Sequence, residues 1–151
     1  MKYVTSKVFL EHVRGLLSSQ LVGVLGTRFE EAPHQSLVAF VASENLREIF
    51  FASPTYTRKV EAMRLDPRVS LLVDNRKNQS SDFDATFALT ARGNAEPLSA
   101  AEAAAVSPRY LQRHPYLREF AASPTCRFFR IRVERYSLVS SFQKVEEMSF
   151  A

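Results

Sequence analysis

Six or so short runs of strand-forming residues, with few helical segments between them, constrain this chain more than any other feature. The runs are Gln20 to Arg28, Gln35 to Ala42, Glu48 to Ala52, Arg68 to Asp74, Thr86 to Glu96 and Cys126 to Glu134, and Tyr136 to Phe142 continues the last or pairs with it. Several alternate strictly. Val69, Leu71 and Val73 share a face, as do Phe129, Ile131 and Val133, with Arg130 and Arg132 opposite them. A doubly wound parallel sheet needs a helix after almost every strand, and this chain does not supply them. An antiparallel barrel or a strongly curved sheet is the expected architecture.

The helices number three regions. Phe9, Val13, Leu16 and Leu17 recur at helical spacing, which predicts a helix over about residues 5 to 18. A second is expected over about Thr55 to Leu65, with Ser53 as N-cap, Pro54 as the first helical residue, and Tyr56, Val60 and Met63 on one face. Asp66-Pro67 ends it. Ser99 and Glu102 form a capping-box pattern opening an alanine-rich region, which Pro108 and Pro115 are expected to break into short pieces. Glu30 to Pro33 reads as the link between the first two strands, Ser43-Glu44-Asn45 as a hairpin turn, and residues 75 to 84 as a polar loop. There is no repeat and no composition break. With 151 residues, 46% of them apolar, a single domain over residues 1–151 is expected.

Charge and special residues exclude more than they assign. The net charge of +4 suits an anionic ligand as well as a nucleic acid. Arg127, Arg130, Arg132 and Arg135 form a basic stripe, but the interleaved aromatics of a single-strand binder are missing except for Phe128, so no nucleic-acid partner is expected. His12, His34 and His114 are scattered without ligand spacing, so no metal is expected. The lone Cys126 opens an apolar strand and reads as a small hydrophobe. No stretch approaches the roughly 18 apolar residues of a membrane span, no h-region follows Lys2 and Lys7, and a soluble cytoplasmic protein is expected.

The segment from Phe50 to Met63, FFASPTYTRKVEAM, carries chemistry. A strand ends and a helix begins with Arg58 and Lys59 in or near its first turn. Cations are disfavoured at the positive end of a helix dipole by some tenths of a kcal/mol. An anion among them removes the conflict: free backbone N–H groups, the Thr57 hydroxyl, a guanidinium and an ammonium make a phosphate cradle. The competing reading is ordinary surface charge, with Arg58 near Glu61 or Glu48.

The strings SLVAF (36–40), IFFAS (49–53), TRK (57–59) and DPRVSLLV (66–73), in register, resemble the pyridoxamine 5′-phosphate oxidase superfamily, and GNAEPL (93–98) resembles its next strand end. The resemblance implies a mainly β, six-stranded antiparallel split β-barrel with flanking helices. It implies a homodimer with FMN at the subunit interface. Thr57, Arg58 and Lys59 match the phosphate motif. Ser36, Leu37, Val38, Ala39 and Phe40 match the strand whose backbone lies along the flavin, and Phe51 and Ala52 match the strand end beside it. Phe142-Gln143 falls where C-terminal residues of related proteins approach the flavin edge.

Departures limit what the resemblance says of substrate. The oxidase has an Arg at the position of Ser36, a substrate-contacting Lys at Val41 and a Gln at Ala88, and its C-terminal Arg-x-His motif has no counterpart in residues 136–151. Pyridoxamine phosphate is therefore not the expected substrate. Two functions follow: an FMN-dependent oxidoreductase acting on another small molecule or electron donor, or a flavin or heme binder without turnover on the same barrel. For heme, His34 or His114 would be the axial candidate.

Overall fold

The computed structural model describes residues 6–150. Helix α1, Lys7–Ser19, is N-capped by the Ser6 hydroxyl, which accepts from the Phe9 N–H at 3.1 Å, and buries Phe9, Val13, Leu16 and Leu17. Strands β1 (Val22–Phe29), β2 (Ala32–Ala42) and β3 (Glu48–Pro54) follow. Next come α2 (Arg58–Leu65), β4 (Arg68–Asp74), the single turn α3 (Asp82–Ala85) and β5 (Phe87–Pro97). Then α4 (Ala100–Arg113), a 3₁₀ turn (Pro115–Leu117) and α5 (Arg118–Ala122) precede β6 (Cys126–Ser140) and β7 (Lys144–Ser149).

All strand pairs are antiparallel, in the order β3-β2-β1-β4-β5-β6-β7, and β3 also pairs with β6. That pairing closes six strands into a barrel, as expected. The seventh strand lies outside the ring, on the second half of β6. Leu25, Phe40, Phe51, Leu71, Leu89 and Ile131 fill the interior and are fully buried, with Phe51 and Phe129 stacked at 5.6 Å. Met63 of α2 and the apolar face of α1 join this core. A second cluster lies outside the wall, where Leu98 and Tyr110 pack with Val41, Phe50, Ala52 and Phe128.

Four local expectations differ from the structure. The β1–β2 link is a two-residue turn, Glu30-Glu31, with φ of 52° and 62°. Such turns favour Gly or Asn, so two glutamates give no turn signal. Pro33 is tolerated inside β2 because β3 reaches only residues 40–42 and leaves that end of β2 an edge. The strand β3 runs through Ser53 and Pro54, and the cap of α2 is Thr57. Tyr56 therefore precedes the helix and is 78% exposed. Helix α4 passes through Pro108 unbroken, since Pro108 faces solvent and Tyr110, one half-turn on, is fully buried and holds the helix to the barrel. Pro115 does end it.

Residues Cys126–Ser140 form one long strand with a register shift opposite Arg92 and Gly93. At Gly93 a Cβ would overlap the Arg132 carbonyl, so the close approach of β5 and β6 depends on glycine there. The middle of the basic stripe is neutralised, while the Arg127 side chain, among the described residues, donates only to the Leu98 carbonyl. Arg130, whose side chain is 14% exposed, meets Glu48 at 3.1 Å, Glu96 at 2.8 Å and Glu102 at 2.8 Å; Arg132 meets Glu96 at 2.6 Å.

Candidate functional site

Strands β2 and β3 pair only at Phe40–Phe51, Val41–Phe50 and Ala42–Ile49. Below Phe40 they part, and among the described residues Ser36 to Ala39 have no β3 partner and Ala52 to Pro54 no β2 partner. The chain leaves β3 beside this opening and turns into α2. Three of the four expected motifs therefore meet here: SLVAF forms one lip, the end of IFFAS the other, and TRK the turn below, while DPRVSLLV forms β4 between β1 and β5.

At the turn, the Ser53 and Thr57 hydroxyls lie 3.2 Å apart and both donate to the Pro54 carbonyl, at 3.0 and 3.2 Å. Thr57 is thus turned away from the helix it caps and makes no side-chain cap bond. The first α2 bond within reach is Glu61 N–H to the Thr57 carbonyl, so the N–H groups of Arg58, Lys59 and Val60 have no acceptor among the described residues. The Lys59 ammonium donates to Ser53 Oγ at 3.2 Å. Burial holds the Lys59 pKa below its ordinary value, opposed by the nearby Cys126 thiol. The Arg58 guanidinium carbon lies 5.8 Å from the Phe29 ring centre, and the His34 ring is also 5.8 Å from Phe29.

Neither Arg58 nor Lys59 forms an ion pair among the described residues. Glu61 pairs with Arg64 at 2.7 Å and Glu48 with Arg130 at 3.1 Å, so the two carboxylates that would make Arg58 an ordinary surface charge are engaged elsewhere. Two cations, three free N–H groups and a hydroxyl thus surround one helix start, and the acidic residue of that turn, Glu61, is paired with Arg64.

Side-chain placement divides the expected flavin strand. Val38 and Phe40 point into the barrel and are buried; Leu37 is 72% exposed, and Ser36 and Ala39 are half-buried. Ser36 Oγ is buried without a partner. Phe51 is inside the barrel and Ala52 lies beneath α4, so both can offer a ligand only backbone. Sequence reading missed how α4 grips this strand. The Tyr110 hydroxyl donates to the Ala39 carbonyl at 3.2 Å, and His114 Nε2 donates to the Phe40 carbonyl at 2.8 Å. Burial pushes the Tyr110 phenol up to about 12 and lowers the His114 pKa, against the pull of its bond to Phe40. Ser53 was also missed as a site residue, because Ser-Pro before a helix reads as a cap. Val41, where the oxidase has its lysine, is buried under α4. The Phe142 and Phe83 rings lie tilted against each other at 5.4 Å, and both are exposed at a hollow lined by Leu72 and Ala88. Cys126 is a half-buried free thiol whose pKa burial raises. No helix of the described residues is long and apolar enough to cross a membrane.

A closed six-stranded antiparallel barrel that opens between β2 and β3 defines a split barrel. The family model for pyridoxamine 5′-phosphate oxidase matches residues 9–140, and the chain belongs to that family. No curated protein matches the chain. Solved structures share the fold at low identity. A heme binding protein from Mycobacterium smegmatis aligns at TM-score 0.83 and 20% identity, over 97% of this chain and 60% of its own. This chain thus spans about three fifths of that protein. A FAD-binding protein from Mesorhizobium loti aligns at 0.70 and 21%, over 85% and 90% of the two chains. A protein from Clostridium acetobutylicum related to general stress protein 26, of the pyridoxinephosphate oxidase family, aligns at 0.74 and 17%, over 96% of each.

Proposed function

We propose that this protein binds FMN and acts as an FMN-dependent oxidoreductase, working as a homodimer with the flavin at the subunit interface. The observation that carries the reading is the Thr57–Lys59 turn, where cations and free N–H groups face the open split without a carboxylate partner among the described residues. Thr57, Arg58 and Lys59 would hold the phosphate, and the unpaired stretch Ser36 to Ala39 would lie along the ring. Bound there, FMN supplies the hydride and electron chemistry, while the chain binds, orients and shields it. Exposed Leu37 and Val22, the latter 48% exposed, lie on neighbouring strands and favour a second copy covering that face.

The substrate is a small molecule or electron donor other than pyridoxamine phosphate, because Val41 and Ala88 stand where the oxidase has Lys and Gln. The test is the absorption spectrum of the purified protein, followed by titration of FMN fluorescence. Flavin bands or saturable quenching are expected. Arg58→Ala with Lys59→Ala should weaken binding by about 2 kcal/mol or more. Unchanged FMN affinity in that variant would remove the phosphate assignment.

A second reading, a heme binder without turnover, draws on the Mycobacterium smegmatis relative. His114 is committed to the Phe40 carbonyl, so His34 would be the axial candidate. A Soret band in place of flavin bands would select it. Steady turnover with NADH or NADPH and an acceptor would exclude any pure binder.

A further inference from the structure

A cavity of about 440 Å³ lies between α1, the β2–β3 turn and α4, and three arginines line it: Arg14, Arg109 and Arg113. It sits at the Val22 end of β1, whereas Arg58 lies against Phe29 at the other end. Among the described residues none of the three guanidinium groups forms an ion pair. They donate to backbone carbonyls instead. Arg14 Nη1 reaches the Glu44 carbonyl at 2.6 Å, Arg109 Nη2 the Ala42 carbonyl, and Arg113 the carbonyls of Ser18, at 2.7 Å, and Gln20.

These bonds fasten the end of α1 and the turn to α4 but leave much of the guanidinium capacity unspent, since each group offers five N–H donors. Arg113 Nε is buried and has no acceptor in the structure, so only the outer guanidinium nitrogens are placed to meet a ligand. The one carboxylate on the wall, Glu44, is solvent-exposed and pairs with none of the three. The lining is also apolar in part: Leu17, Val41 and Leu46 belong to it and are buried. Positive charge with fork geometry beside apolar side chains matches a molecule with a planar anion at one end and an apolar body.

We propose that this cavity binds a small organic carboxylate with an aliphatic or aromatic body, separately from the flavin site. The test uses isotope-labelled, flavin-loaded protein, with amide chemical shifts followed during titration with octanoate, 1-octanol and inorganic phosphate. Saturable shifts at Leu17, Leu46 and Arg113 with octanoate, absent with octanol and much weaker with phosphate, are expected. Arg14→Gln with Arg109→Gln should weaken octanoate at least tenfold while FMN affinity stays unchanged. An equal response to octanol or to phosphate would overturn the proposal, as would octanoate shifts confined to Thr57–Lys59, or none at all. These wild-type comparisons decide the matter even if the double variant fails to fold.

Discussion

Lys59 Nζ and Ser53 Oγ lie 3.2 Å apart, joining the last residues of β3 to the first turn of α2. Ser53 is fully buried, so it fixes the lysine from below and leaves the remaining ammonium protons for a ligand. Ser53→Ala should therefore cost about 1 kcal/mol of FMN affinity, a factor of about five, without touching the phosphate itself. Fluorescence titration of the variant beside wild type measures it, and an unchanged affinity would show that Lys59 needs no positioning.

Burial lowers the Lys59 pKa, and a phosphate opposite it would favour its charged form. FMN affinity should fall as pH rises toward that lowered value, and the fall should begin below the usual lysine range near about 10.4. In Lys59→Arg, which stays charged, the alkaline decline should move to higher pH. Affinity measured between neutral and alkaline pH for both proteins checks the shift.

His114 sets an acid-side dependence. Its folded pKa lies below the ordinary value because burial disfavours the imidazolium, and Arg113 adds to this. The unfolded chain then takes up the proton first as pH falls through about 6.5. Stability should be complete above that pH, decline below it, and level off once the folded protein is protonated too. His114→Gln, which keeps a donor for the Phe40 carbonyl, should flatten the decline in melting temperature between pH 8 and 5.

Tyr110→Phe removes only the hydroxyl that donates to Ala39 and leaves the ring in its cluster. A loss of about 1 kcal/mol is expected, read by denaturant unfolding. Tyr110→Ala should cost about 3 to 5 kcal/mol, because it also opens a cavity.

Gly93→Ala should destabilise the barrel by about 3 kcal/mol. The added Cβ meets the Arg132 backbone, which cannot move aside as a side chain would. An alanine placed at exposed Gly15, which has nothing within 4 Å, is the control and should be neutral or stabilising.

What the sequence revealed followed how local each feature is. The bounds of β4 agree because Val69, Leu71 and Val73 alternate between clear turn signals. The cation pair at the start of α2 was legible because helix electrostatics act within one turn. The strand β7 was missed, since in KVEEMS only Met148 is buried and the pattern is faint. Ser53-Pro54 imitates a helix start, and only the pairing of Ser53 with Arg127 of β6 shows it to be strand. The grip of Tyr110 and His114 on β2 joins residues 71 and 74 positions apart, and no local pattern announces such contacts.

The β3–β6 closure has a consequence for how the chain comes to be folded. Arg130 donates diagonally across that seam to Glu48, 82 positions away in the chain. During synthesis β3 must therefore wait for β6 as an open sheet edge, with its outer backbone groups unpaired. The seam is a slow, long-range step, and any chain cut short before Cys126 keeps that edge bare for pairing with its neighbours.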